Sequence, residues 1–328
     1  MVAVTAKCIK QLEKIVQGES GFGVRYVDID EQEGQRIDNF LLALLAGVPR
    51  SRVYRLLRKG EVRVNGGRVK ATYRLKKADR VRVPPVRTKA RAEPARPSQA
   101  AARALESALL FEDEALIALN KPAGMAVHGG SGISYGLIEA LRAMRPGAFL
   151  ELAHRLDRDT SGCLVVAKTP GALRELHAVL RKREAKKAYV AIVHGRWPAK
   201  LTTVRLSLHK YVTASGERRV RVSSQGKPSR TDFQRVADAK RATRLHAFPH
   251  TGRTHQIRVH TAALGHAVFG DDKYCDEQGL DLSRDLGIRA LCLHAHKLSF
   301  SCAGDEYRFS APTPEAFESA WEALVQGG

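Results

Sequence analysis

Nine residues, HRLDRDTSG at 154–162, crowd one His, two Arg, two Asp, a Thr and a Ser against the apolar run CLVVAKT. Two more polar clusters stand at the edges of apolar segments: NKPAGMAVHGG at 120–130, and TGRTHQIRVH at 251–260, followed by GHAVFGDDKY. A sheet that ends in such a cluster holds its side chains rigidly at the mouth of a pocket. Each cluster alone is equally the composition of a solvated loop.

The twelve histidines raise the question of a metal. His255 and His260 are five residues apart, which turns their rings to different helix faces, and no H-E-x-x-H occurs. His294 and His296 share one face of a strand in LCLHAHKLSF. All four read as hydrogen-bonded structural histidines, with no metal site. Five Cys, at 8, 163, 275, 292 and 302, form no C-x-x-C pair and read as reduced thiols of a cytosolic protein. Neither common nucleotide-binding glycine loop is present.

The chain has 328 residues, enough for two domains, and 55 Lys and Arg against 34 Asp and Glu give a formal net charge of +21. A field of that sign favours polyanions, either nucleic acid or an anionic membrane surface. No run approaches the ~20 apolar residues of a membrane-spanning helix, and residues 1–20 lack the order of a signal peptide. The excess is local: residues 50–103 hold eighteen Lys and Arg against Glu61, Asp79 and Glu93.

That basic region is patterned. RIDNFLLALL sets Ile37, Phe40, Leu41, Leu44 and Leu45 on one helix face, and Pro49 ends the run. Ser51 is the expected N-cap of a second helix, SRVYRLLRKG, with Val53, Leu56 and Leu57 inward. Arg52, Arg55, Arg58 and Lys59 lie outward, where they grip phosphates without reading bases, and Gly60 is the stop. EVRVNGGRV reads as a hairpin turning at Asn65-Gly66 and resuming at Val69, and DRVRVPP as a further strand. RIDNFL, SRVYRLLRKGEVRVNGG and DRVRVPP resemble the S4 RNA-binding domain, over residues 36–86. The resemblance implies an RNA handle rather than a reaction.

The expected organisation is an N-terminal extension at 1–35, the S4 domain at 36–86, a Pro-containing linker at 87–107 and a catalytic domain at 108–328. In the larger part strands (CLVVAKT, AYVAIVHG, ATRLHAF) mix with helices (SYGLIEALRAM, PGALRELHAVL, PTPEAFESAWEALV) without a regular βαβ rhythm. That pattern predicts an α+β domain with a mostly antiparallel sheet.

HRLDRDTSG, KKAYVAIVHG, TGRTHQIRVH and NKPAGMAVHGG, in this order and spacing, resemble the RluA-type pseudouridine synthases, from about residue 24 to 315. The sequence departs from the family pattern at Phe248, Pro249 and His250, and at Cys275, where Gly commonly follows the Tyr. The resemblance implies isomerisation of uridine to pseudouridine in 23S ribosomal RNA, free or in an assembling large-subunit particle. It implies no cofactor, no membrane, a cytoplasmic location and a monomer. Asp157 matches the catalytic carboxylate, which either attacks C1′ or removes a sugar proton. Asp159 is the alternative carboxylate, read as capping the turn. Arg258 matches the Arg that pairs with the carboxylate, which keeps a buried Asp ionised. Arg155 matches the Arg that fills the space vacated by the flipped base, and Tyr189 the Tyr against that base. His154 and Lys121 are placed beside the substrate. Two other readings compete: an RNA-binding assembly factor without activity, and a metal hydrolase using the histidines.

Overall fold

The structure, a computed structural model, describes residues 23–30, 32–45, 47–86, 98–129 and 135–327. Cys8, residues 1–22 and residues 87–97 of the expected linker lie outside the described residues. The chain forms two compact units, divided between Pro94 and Ala95.

In the first unit β1 (Arg25–Asp28), α1 (Ile37–Leu44), α2 (Arg50–Lys59), β2 (Arg63–Val64) and β3 (Arg80–Val83) follow one another. The three strands form an antiparallel sheet in the order β1-β3-β2. The predicted apolar faces are the ones buried: Ile37, Phe40, Leu41 and Leu45 pack with Val53, Leu56 and Leu57 against Val81 and Val83.

Three details differ from the sequence reading. The N-cap of α2 is Pro49, not Ser51, because the proline carbonyl already accepts from Arg52 and Val53. The turn at Asn65-Gly66 is present, with both residues at positive φ, but β2 pairs with β3 sixteen residues on rather than with the Val69 segment. Residues 25–28, assigned to the extension, form β1, and Ile29 beside it is buried in the core.

The second unit opens with α3 (Gln99–Ser107), inside the stretch read as linker. Ser98 caps it by accepting from Ala101 N–H at 3.2 Å, and Leu105 is buried. Its alanines favour a helix once one apolar side chain has a core to enter. There follow β4 (Leu109–Glu112), β5 (Leu116–Lys121), α4 (Leu137–Met144), β6 (Glu151–Leu152), β7 (Ser161–Ala167), α5 (Pro170–Lys182), β8 (Lys186–His194) and β9 (Thr203–Val212). Then come β10 (Arg218–Val222), β11 (Lys227–Ala239), β12 (Ala242–Pro249), α6 (Gln256–Ala262), α7 (Glu277–Asp285), β13 (Leu293–Cys302), β14 (Asp305–Ser310) and α8 (Glu315–Gln326).

The strands of this unit form one sheet, ordered β10-β9-β11-β12-β8-β13-β7-β5-β4, with β14 on β13 and β6 on β7. Its described pairings are antiparallel except β13 with β7, as the mostly antiparallel expectation requires. Both faces are covered at β7. Cys163, Val165 and Ala167 face the core that holds Leu176 of α5, and Leu164 and Val166 face the one that holds Leu137 and Leu141 of α4. That double cover explains why CLVVA is apolar without alternation. Among the described residues no helix is long and apolar enough to cross a membrane.

Candidate active site

The loop 153–160 joins β6 to β7, and its backbone is tied down at several points. Ala153 N–H donates to Val165 at 3.1 Å. His154 Nε2 accepts from Val165 N–H at 3.1 Å, so the imidazole stands in for the next backbone carbonyl of the ladder. Burial holds His154 down to about 3, which keeps that acceptor unprotonated. Thr160 N–H closes a turn onto the Asp157 carbonyl at 3.2 Å.

Lys121, at the end of β5, is fully buried, and its Nζ donates to the carbonyls of Pro122, Met125 and Arg158 at 2.8, 2.9 and 2.9 Å. All three ammonium hydrogens are used. Burial brings Lys121 down to about 8, against the fields of Asp159 and Asp157. Lys121 therefore staples the NKPAGM loop to the HRLDRD loop, and the substrate contact expected of it has no donor left. Gly162 closes the nonapeptide at φ +110°, where a Cβ would sit 2.3 Å from the Ala295 carbonyl of the parallel neighbour β13. Only glycine allows that approach.

With its backbone so fixed, the loop presents Leu156 to the core and Asp157 to a pocket of about 110 Å³. Tyr189 of β8, Arg155, His255 and Arg258 line the same space. The Asp157 side chain is 20 % exposed, and His255 Nε2 lies 3.9 Å from its carboxylate. Tyr189 is held well above the ordinary phenol range by burial, then by the Asp157 charge, so it stays a neutral hydroxyl. Arg155 is exposed at the rim. Asp159 turns the other way and accepts from Arg158 Nε at 3.0 Å.

Arg258 does not make the expected ion pair with Asp157. Its Nε and Nη2 donate to the two carboxylate oxygens of Asp271 at 2.7 and 2.6 Å, with both side chains buried. Asp271 also accepts from the backbone N–H groups of Lys273 and Tyr274, and the Tyr274 ring lies 5.2 Å from the guanidinium carbon. Burial works against the Arg258 charge, but Asp271 outweighs it and raises the group, with Asp157 adding to the effect. Asp157 thus feels Arg258 through its field, and the direct carboxylate partner is Asp271. The sequence signal for Asp271 was the GDDKY turn, thirteen residues from Arg258, but nothing local tied the two together.

His255 was likewise missed as a site residue. It opens α6 in the left-handed region at φ 52°, with Nδ1 2.6 Å from the Tyr274 hydroxyl and Nε2 toward Asp157. Burial lowers it more than Asp157 raises it. The remaining histidines of interest are engaged within the protein: His260 with Ser229 at 2.7 Å, His294 with Ser161 and Ala311, and His296 with Ala311. Among the described residues no group of three His, Cys, Asp or Glu side chains is placed to hold a metal ion.

In the first unit Arg52, Arg55 and Arg58 line one shallow concavity with Pro49 and Ser51. Their three-residue spacing on α2 makes them a single stripe. Lys59 is exposed at the helix end, outside that concavity.

Residues 115–263 match the family model described as RNA pseudouridylate synthase, and residues 35–81 match the S4 domain. The chain is 51% identical over 320 residues to ribosomal large subunit pseudouridine synthase C of Haemophilus influenzae, covering 96% of this chain and 98% of the relative. It is 49% identical over 303 residues to the protein of the same name from Escherichia coli, covering 90% and 94%. Among solved structures, human RNA pseudouridylate synthase domain containing 4 superposes with a TM-score of 0.56 at 26% identity, over 68% of this chain and 95% of that one.

Proposed function

The chain belongs to the RNA pseudouridylate synthase family and carries an S4 domain, and on that footing we propose that it isomerises specific uridines of 23S ribosomal RNA with Asp157 as the reacting carboxylate. It is an RNA pseudouridine synthase, an isomerase, and its reaction breaks N1–C1′ and makes C5–C1′. The observation that carries the assignment of Asp157 is its place: a partly exposed carboxylate in a narrow pocket, its loop fixed by Lys121 and His154, facing Tyr189.

The target base must leave the RNA stack for C1′ to be reached. Arg155 at the rim is the side chain free to enter the gap. The Tyr189 face receives the flipped uracil. Asp157 then acts at the ribose, as nucleophile at C1′ or as the base that removes a sugar proton. Arg258, oriented by Asp271, places a positive charge on the wall of the same pocket. A detached uracil in a closed pocket turns and rejoins through C5; the C5 proton then leaves and N1 takes one up, so nothing is gained or lost and no cofactor is required. Exclusion of water matters because a carboxylate beside a glycosidic bond otherwise promotes hydrolysis. The stripe Arg52, Arg55 and Arg58 adds sequence-independent affinity through phosphates.

Asp157→Asn keeps the shape and removes the charge. We expect no pseudouridine in unmodified 23S rRNA, with RNA binding largely kept. Appreciable activity in Asp157→Asn together with loss in Asp159→Asn would move the role to Asp159.

A further inference from the structure

Beside the Asp157 pocket lies a larger cleft of about 610 Å³, which shares Lys187, Pro249, Thr251, Gly252 and Arg253 with it. Its volume falls within the ~300–1,000 Å³ range of sites that enclose small ligands. Arg181, Arg183, Lys186, Lys187, Arg253 and Lys297 line it, and among its described lining residues there is no Asp or Glu. Glu184, between two lining residues, pairs with Lys182, and Asp232, paired with Arg230, reaches the lining as the 2.6 Å partner of His250. Phe248 adds a half-buried aromatic ring to the wall. It is one of the four residues at which the sequence leaves the family pattern.

We propose that this cleft holds the single-stranded RNA next to the target uridine, with phosphates on the cationic rim and a neighbouring base on Phe248. The inference rests on the reading that the Asp157 pocket takes the flipped uridine, since the shared residues make the two spaces continuous. A polyanion suits six cations with no carboxylate among the lining residues beside them, and an aromatic face stacks any base. The backbone at one of these cations bears on the test. Arg183 ends α5 in the left-handed region at φ 64°, accepting the strain of a position that suits glycine. No side-chain partner within the described residues accounts for an arginine there.

That backbone makes the test discriminating, because Arg183→Gly relieves strain while removing charge. Binding of the full chain to an unmodified 23S rRNA transcript is measured across salt concentration for Arg183→Gly, Lys186→Gln, the pair and Phe248→Leu. The control is the charge-matched pair Lys240→Gln and Arg241→Gln, both exposed in the turn at the opposite end of β12.

At ~0.7 of salt slope per phosphate on a single strand, the Arg183–Lys186 pair should flatten the log–log slope by about 1.4 and weaken binding about tenfold at physiological salt. Phe248→Leu should weaken binding several-fold with the slope kept. The Tm of Arg183→Gly should equal or exceed that of the wild type. The control pair should leave pseudouridine formation unchanged. Affinity and slope for the cleft variants equal to those of the control overturn the proposal. Should Arg183→Gly lower Tm, Lys186→Gln alone decides, with half the slope change expected. A wild-type protein that forms no pseudouridine on this transcript refutes the uridine reading instead, and the binding comparison then stands alone.

Discussion

Asp271→Asn separates two accounts of how the site holds its charge. In the structure Asp271 is the partner of Arg258, with side chains 0 and 2 % exposed and two hydrogen bonds between them. Asparagine fits the space, but its amide nitrogen must face either the guanidinium or the backbone N–H groups of Lys273 and Tyr274. Leaving one member of a buried pair uncompensated costs about 3–5 kcal/mol, a large share of the ~5–15 kcal/mol that holds a domain together. For a unit spanning residues 95–328, at ~2–4 °C per kcal/mol, Tm should fall by about 6–20 °C. Asp157→Asn should cost little stability, because its carboxylate is partly exposed and lies 3.9 Å from the His255 imidazole, beyond hydrogen-bond distance. Glu306→Gln, which breaks a pair 68 and 79 % exposed, should shift stability by less than about 1 kcal/mol and serves as control. Thermal melts and pseudouridine assays below the transition give the readings. The double variant Arg258→Met, Asp271→Leu should regain much of the lost Tm, since an apolar pair of similar volume removes the unpaired charge, and should stay inactive. A wild-type Tm for Asp271→Asn beside a large drop for Asp157→Asn would refute the reasoning and restore the direct Asp157–Arg258 pair.

Three further outcomes are expected. Tyr189→Phe should bind RNA normally and turn over more slowly if its hydroxyl handles the C5 proton, whereas Tyr189→Ala should lose at least about tenfold in single-turnover rate with the stacking face. Stability should fall with acid, because burial holds His260 and His294 down to about 4 against ~6.5 unfolded. Their contribution is complete above pH ~6.5 and is lost toward pH 4 at up to about 1.4 kcal/mol per pH unit each, so urea midpoints at pH 7, 6 and 5 should fall, less steeply in His260→Gln. Replacing Arg52, Arg55 and Arg58 by Gln should make RNA binding less salt-dependent by up to about 0.7–0.9 of slope for each phosphate no longer neutralised.

The acid prediction depends on which nitrogen of His260 is bare. The Ser229 hydroxyl gives its single hydrogen to the Leu206 carbonyl at 2.5 Å, so His260 Nε2 must donate to that oxygen. Nδ1 is then the atom left to protonate, and among the described residues it is buried without a partner.

What was legible in the sequence follows from how local each feature is. The apolar faces of α1 and α2 and the run in β7 depend on spacing within a few residues, and they were read correctly. The partner of β2 was not, because the Asn-Gly turn fixes where the chain reverses and says nothing of which later strand it meets. Helix α3 hid in a linker composition because its one buried side chain, Leu105, needs a core made by residues from Ile117 to Val166 together with Ala295. At the site, the loop carrying Asp157 was legible as a cluster, whereas the Arg258–Asp271 pair exists only once α6 lies over the turn that follows it.

The charge crowded into 154–162 divides by whether its hydrogen-bonding capacity is already used. His154 completes a ladder, Asp159 holds Arg158, and Ser161 bonds His294. Outside the nonapeptide, Lys121 is saturated by three carbonyls and two nitrogens of Arg258 are taken by Asp271. Among the described residues, Asp157, Arg155 and Tyr189 line the same pocket with no side-chain hydrogen bond to the protein. Buried polar groups are normally satisfied, so unspent ones converging on one cavity mark where a substrate's own polar groups complete the count. The spent groups are no less needed. A carboxylate reacts usefully only if its position is fixed to within about 0.5 Å, and the loop around Asp157 is fixed by charges and rings that never meet the substrate. A polar cluster at a strand edge is therefore mostly scaffold, with the chemistry left to the few members whose partners are missing.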